Sequence, residues 1–249
     1  SILQGVIRCL FHKKSHIRFT YLLSKFPSLK GLESQNWGLE FIAEFHMTND
    51  SDKFNQGEFS GQNYPLFEGR MINQYDHQFR EYKSGTGRTA VWEELPFSAK
   101  RIRPQFFINK KAIDERRSSF PNSYRAAFGA VSSATNERTV QATVIPRNAV
   151  CNHSLVTVWF HESQHAKTLV WVCVANSVVF DWCVRLRASL NLTFSLMFDM
   201  PFPSIDEKNK SYRYLSHRAA RLICVTPEMK DLWNELEIGR ASCRERVCS

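Results

Sequence analysis

What the chain lacks narrows the reading first. It has seven cysteines, at positions 9, 151, 173, 183, 224, 243 and 248, but no two form a C-x-x-C pair and their number is odd. That pattern excludes a zinc ribbon and argues against a disulfide framework. Cys173 and Cys183 lie in an apolar run and read as buried thiols. No apolar stretch is long enough to cross a bilayer: the longest, residues 168–180, is flanked by Lys167 and Asp181. The opening segment, SILQGVIRCLFHKKSHIRF, puts charges where the apolar core of a signal peptide belongs, so the expected compartment is the cytoplasm. A phosphate loop is missing too, because SGTGRT at 84–89 fails the G-x-x-x-x-G-K-[ST] spacing. No segment repeats another.

What is present fits a folded, basic protein. At 249 residues, 43% hydrophobic and 23% charged, the chain can bury the core of one large or two small domains. Lys and Arg number 33 against 24 Asp and Glu, which gives a net charge of +9. Such a balance suits a polyanionic partner without proving one. The last eleven residues, GRASCRERVCS, continue no pattern and resemble a read-through artefact; leaving them out lowers the charge by two. The chain opens on Ser1 with no initiator Met, and the expectation is a fragment of a longer protein.

Hydrophobic periodicity predicts an α+β chain, with antiparallel or mixed strands in the N-terminal and central parts and helices at the C-terminal end. Trp37, Leu39, Phe41, Ala43, Phe45 and Met47 alternate with Glu40, Glu44 and His46, the pattern of a half-buried strand. Val140, Ala142 and Val144 alternate again before Pro146, and LVTVWF at 155–160 reads as another strand. Residues 166–188 are apolar all round and predict one long buried helix. PFPSIDEKNK at 201–210 reads as a linker, residues 211–223 as a helix, and TPEMKDLWNEL at 226–236 as a helix with Thr226 as N-cap and Pro227 at its first position.

One stretch suggests catalysis. HESQH at 161–165 matches H-E-x-x-H, in which two histidines one helical turn apart hold zinc and the glutamate serves as general base. A zinc metallopeptidase on His161, Glu162 and His165 is therefore one reading. Against it, the motif follows a strand directly, and Ser163 is a good N-cap that would leave His161 outside the helix. Thr168 and Trp171 stand where the longer zinc motif has Gly and His, and no Glu or His occurs in 166–206 to supply a third ligand. The plainer reading is a polar strand-to-helix junction.

Polar and basic stretches point elsewhere. SATNERT places Asn136, Arg138 and Thr139 just before a strand. An arginine fork suits phosphate or guanine, an asparagine amide suits adenine, and a threonine hydroxyl suits phosphate. The alternative is an Arg138–Glu137 surface pair or a turn. The segment 100–117 carries Lys100, Arg101, Arg103, Lys110, Lys111, Arg116 and Arg117 with two interleaved phenylalanines, which suits phosphate tracking or, equally, a solvated basic loop. In FEGRMINQYDHQF at 67–79, Arg70 and His77 either face DNA or join Glu68, Tyr75 and Asp76 in a buried network against a neighbouring domain. Val179, Trp182 and Leu186 recur at helical spacing and read as core, while Arg185 and Arg187 either cap that helix or reach phosphate.

Taken in order, several of these stretches resemble one family. They are WGLEFIAEFHMTNDSDKF (37–54) with YPLFEGRMINQYDHQFREY (64–82), then YRAAFGAVSSATNERTVQATVIPRNAV (124–150). ANSVVFDWCVRLRASLNLTFSLMFDMPFP (175–203) follows, with YRYLSHRAARLICVTPEMKDLW (212–233). The region 35–236 resembles the C-terminal half of large S-adenosyl-L-methionine-dependent adenine-N6 DNA methyltransferases of the type IIG restriction–modification and BREX-type phage-defence systems. The resemblance implies a catalytic domain N-terminal to this region, which binds S-adenosyl-L-methionine and holds the flipped adenine with an N-P-P-Y motif. This chain has neither that motif nor the glycine-rich cofactor loop, so no cofactor and no methylation are expected of it alone. The implied partners are double-stranded DNA and the missing methyltransferase domain, with no membrane. The implied layout is the end of, or linker from, the catalytic domain at 1–63, a target-recognition domain at 64–203, C-terminal helices at 204–238 and the tail at 239–249. The DNA-binding candidates are Asn136, Arg138, Thr139, Arg70, His77, Arg103, Lys110, Lys111, Arg116, Arg117 and Arg185. Gly129 departs from the pattern, standing where the family has an arginine, and RLRASLN departs from a more glutamine- and glycine-rich version. A protein-interaction module with incidental charge is the third reading.

Overall fold

The first strand is shorter than its alternation. In the computed structural model, which describes residues 14–32, 37–132, 135–160, 165–205 and 207–236, β1 (Leu39–Ile42) buries Leu39 and Phe41 and then leaves its sheet. Glu44, expected on the solvent side with Glu40 and His46, is buried instead. The reason is a cation across the sheet. Arg125 is fully buried at the start of β7 (Arg125–Gly129), and its guanidinium donates to both oxygens of Glu44, to Ala149 O at 2.9 Å and to Ser123 O at 3.1 Å. Glu44 Oε2 also accepts from Cys151 N at 2.8 Å. Burying either charge alone would be costly, so the chain bends to bring them together.

Two sheets result. The first has the order β1–β10–β7–β8, all antiparallel, with β10 at Leu155–Phe160 and β8 at Ala142–Ile145. The second has the order β2–β6–β3–β9: β2 (Phe54–Asn55), β6 (Phe106–Asn109) and β3 (Asn63–Phe67) pair antiparallel, while β9 (Val150–Cys151) lies parallel to β3. A separate hairpin joins β4 (Arg80–Ser84) and β5 (Val91–Glu94) across the glycine-containing turn. Gly85 there has φ of +82°, and a Cβ would meet Thr89 O at 2.4 Å, so glycine is required. The first sheet is covered on both faces. Ala126, Phe128, Ala142, Val144, Val156 and Val158 face the helices, while Ala127, Ile145 and Leu155 pack against Phe67, Met71 and Ile72. That double burial accounts for strands that read as apolar runs.

The helices are α1 (Lys14–Lys25), α2 (Leu29–Leu32), α3 (His165–Ala175), α4 (Val178–Arg185), α5 (Phe194–Phe198), α6 (Lys210–Ile223) and α7 (Lys230–Glu235). The single helix expected over 166–188 is in fact α3 and α4, bent by 64°. Asn176 breaks it: its Oδ1 accepts from Ala142 N at 3.0 Å and its Nδ2 donates to Ala142 O at 2.8 Å, which ties the bend to β8. Ser177 then caps α4 by accepting from Phe180 N. The linker expected at 201–210 begins inside the core, because Phe202 is fully buried and its N–H bonds Pro27 O at 2.8 Å. The helix expected at 226–236 starts as a 3-10 turn, Pro227–Met229, and continues as α7; the Thr226 side chain makes no cap bond, while its carbonyl accepts from Met229 N at 3.1 Å. One hydrophobic cluster draws residues from Leu29 through Leu232, so the expected boundaries at 63/64 and 203/204 both fall within its span.

Candidate nucleic-acid interface

The described residues of the connection between β7 and β8 are anchored at both ends. At its start, Ala130 and Ser132 exchange backbone bonds with Leu192 and Leu190, and Val131 bridges Asn191. At its end, the buried Asp181 carboxylate accepts from Thr139 N at 2.7 Å and Val140 N at 2.8 Å through one oxygen. Its other oxygen accepts from Arg185 at 3.2 Å, and Arg185 also donates to Glu137 O at 2.8 Å. Ser132 Oγ closes the neck by donating to Thr139 O. Between these anchors Asn136 and Glu137 are exposed and Arg138 is half-buried. The loop thus presents one amide and one guanidinium on a pinned backbone, the groups suited to reading base edges or gripping phosphate.

A second turn stands beside it. Asn73 and Asp76 bond each other's backbones, and between them Tyr75 takes a φ of +62°. A non-glycine residue in that region is strained and needs support. Tyr75 receives it from its N–H, which bonds Ala142 O at 2.9 Å, and from Gln74, whose amide donates to Asn176 O. Burial pushes the Tyr75 phenol up to about 12, although the nearby Arg138 charge pulls the other way. Asn136, Arg138 and Arg185 are therefore brought together with Tyr75 around the end of the first sheet.

The other expected DNA contacts are scattered or consumed. Thr139 is buried, and its backbone is committed to Asp181 and Ser132, so it offers nothing to a partner. His77 is buried beside Phe67 and Thr226, and burial pushes it down to about 4 against the opposing charges of Glu228 and Asp76. It belongs to a buried network, not to a DNA face. Arg117 lies over Phe45 and pairs with Asp50; burial alone would raise that carboxyl, but Lys53, the His46 N–H and Arg117 hold it at about 2. Lys100 is bound to Asp76 and Gln78 O, and Arg101 grips Glu81 through two bonds of 2.6 Å. Of the basic segment this leaves Arg103, Lys110, Lys111 and Arg116 exposed, with Lys110 5.0 Å from the Tyr64 ring centre. Arg70, also exposed, stacks on Trp92 at 5.5 Å. Gly129 ends β7 with open space where its side chain would be.

His161, Glu162, Ser163 and Gln164 lie outside the described residues. His165, the remaining member of HESQH, opens α3 with Nε2 2.6 Å from Glu235, whose other oxygen accepts from Arg147 at 3.0 Å. Burial pushes His165 down despite that carboxylate. Among the described residues no group of three or more His, Cys, Asp or Glu is placed to hold a metal. The thiols there are free and unactivated, with Cys183 and Cys224 both pushed by burial to about 12.

Sequence reasoning overlooked two positioning residues, Asp181 and Asn176. Asp181 had a signal: it is the one carboxylate in an apolar helical run, and a lone charge there needs a partner. No protein-family model matches the chain, and no curated protein matches it. Among the described residues no single helix is long and apolar enough to cross a membrane; α3 and α4 pass that test only as a bent pair.

Proposed function

We propose that this chain is a DNA-recognition fragment of a site-specific adenine-N6 DNA methyltransferase of the restriction–modification or phage-defence kind, working in the cytoplasm. Its task is duplex binding. Exposed Lys110, Lys111, Arg103 and Arg116 neutralise phosphates, and Asn136 and Arg138 read base edges. Base flipping and methyl transfer from S-adenosyl-L-methionine are the work of a catalytic domain, whose N-P-P-Y motif and glycine-rich cofactor loop do not occur in these residues. The observation that supports this most is the anchored end of the loop: the buried Asp181 carboxylate and Arg185 fix the backbone at Glu137, Thr139 and Val140, beside Asn136 and Arg138. Fixing a backbone so firmly to display an amide and a guanidinium is what recognition of a rigid, hydrogen-bonding surface requires.

The test is binding of the chain to labelled duplex DNA across a salt series, with zinc assayed on the same sample. Affinity that falls log-linearly with salt supports the reading. Replacing Arg138 or Asn136 by alanine is expected to reduce discrimination between sequences by about 1–3 kcal/mol if the contact is to a base. A folded chain that binds no duplex at any salt refutes the proposal and favours an interaction module. One zinc per chain, lost on His165→Ala, would instead support the zinc metallopeptidase reading.

A further inference from the structure

α6 buries one face and leaves the other to solvent. Tyr212, Ser216, Ala219, Ala220 and Ile223 are buried, and the helix packs against α3. Lys210, Tyr214, Arg218 and Arg221 recur at steps of three or four, which sets them in one row, and all four are exposed. The row spans about 16 Å, close to five base-pair rises of one DNA strand. No Asp or Glu occurs from 208 to 223. Among the described residues, no carboxylate pairs with Lys210, Arg218 or Arg221, in contrast to Lys100, Arg101 and Arg117 in the basic segment. The Arg218 guanidinium lies over the Tyr214 ring, 5.0 Å from its centre, which restrains an otherwise mobile side chain.

We propose that the outer face of α6 is a second nucleic-acid contact, one that tracks the phosphate backbone without reading bases. The proposal rests on the DNA-binding reading and adds to it a surface apart from the loop. A row of unpaired cations with one exposed ring fits a polyanion of regular spacing. An anionic membrane is the weaker match: a helix that lies on lipid inserts its apolar face, and the apolar face of α6 is already spent on α3. Leu222 and Val225 are exposed beyond the row but give no continuous apolar stripe.

The experiment compares the full chain with Lys210→Gln/Arg218→Gln/Arg221→Gln by anisotropy of a labelled duplex over about 50–200 mM salt, the range in which counterion release is resolved. If all three side chains meet phosphate, the slope of log K against log salt becomes shallower by about 2.7 and affinity at 0.1 M falls roughly 500-fold. The loss is expected to be equal on two unrelated sequences, whereas Asn136 and Arg138 variants change the ratio between sequences. Should the triple variant lose its circular-dichroism signature, the single variants take its place, each expected to reduce the slope by about 0.9. An unchanged slope, with the wild-type chain binding duplex normally, overturns this proposal and leaves the loop reading intact. A wild-type chain that binds no duplex overturns both. Binding of wild type, but not the triple variant, to phosphatidylserine vesicles in place of DNA assigns the face to membrane and overturns the proposal.

Discussion

Replacing Asp181 by alanine tests the central claim about the loop. In the native chain Asp181 Oδ1 accepts from Thr139 N at 2.7 Å and Val140 N at 2.8 Å, and Oδ2 faces Arg185 at 3.2 Å. Both amides are buried, so truncation orphans two donors that water cannot reach. Each orphaned donor costs about 1–3 kcal/mol, so the sum is roughly 2–6 kcal/mol. That is a large share of the ~5–15 kcal/mol by which a domain is stable. With a urea dependence of about 2–3 kcal/mol per molar, the unfolding midpoint moves down by about 0.7–3 M. Asp181→Asn keeps an acceptor but gives up the charge, and about half the loss is expected because neutral bonds are roughly half as strong. Below its midpoint, the alanine variant is expected to bind duplex with a nearly unchanged salt slope and reduced sequence discrimination, because Lys110, Lys111 and Arg116 are untouched while the loop is released. A midpoint within 0.3 M of wild type, or discrimination equal to wild type, would refute the claim that this carboxylate positions the loop; that margin corresponds to about 1 kcal/mol.

Three further outcomes follow from the same geometry. Glu44→Ala leaves the Arg125 charge buried and unpaired, at an expected cost of about 3–5 kcal/mol, while Glu44→Leu/Arg125→Met is expected to recover most of it. Calorimetric melting of the two variants separates these cases, and a double variant no better than the single would show that packing, not charge, is at stake. His77 is held neutral by burial down to about 4, whereas the unfolded chain protonates near 6.5, so the unfolded state gains the proton first. Stability is therefore complete above about pH 6.5 and declines by roughly 3 kcal/mol as pH falls toward 4; His77→Gln should flatten that decline, and identical urea midpoints against pH in the two proteins would contradict it. Gly129→Arg meets open space, so it should melt with wild type, and an added phosphate contact should steepen the salt slope by about 0.9. An unchanged slope would place that end of β7 away from the duplex.

Much of the fold was legible because local signals and tertiary packing agree. LVTVWF is a strand over the very residues expected, and the helix expected at 211–223 is α6 within one residue. Misreadings arise where a tertiary partner overrides a local pattern. Apolar periodicity runs unbroken through 166–188, so nothing in it reveals that Asn176 turns aside to bond the backbone of Ala142. Alternation from 37 to 47 continues past Ile42, yet the strand stops because Arg125, eighty-one positions away, needs Glu44. Prolines and charges at 201–210 look like a linker, and only the surrounding helices show that Phe202 fills a gap between Trp37 and Phe180.

Charge is where composition misleads most, because net charge counts residues while available charge depends on pairing. Glu44, Asp50, Glu81 and Asp181 are all buried, and each holds at least one cation: Arg125, Arg117, Arg101 and Arg185 respectively. These carboxylates work inside the structure, where they fix backbone and take up the charge of the arginines they hold. The basic segment at 100–117 suits phosphate tracking by count, yet Lys100, Arg101 and Arg117 are spent on Asp76, Glu81 and Asp50. Lys210, Arg218 and Arg221, spread through a helix that reads as ordinary packing, keep their charge for the surface. Among the described residues, the cations available at the surface are those that no carboxylate has taken up. They can be located only after each buried carboxylate has been matched to its partner.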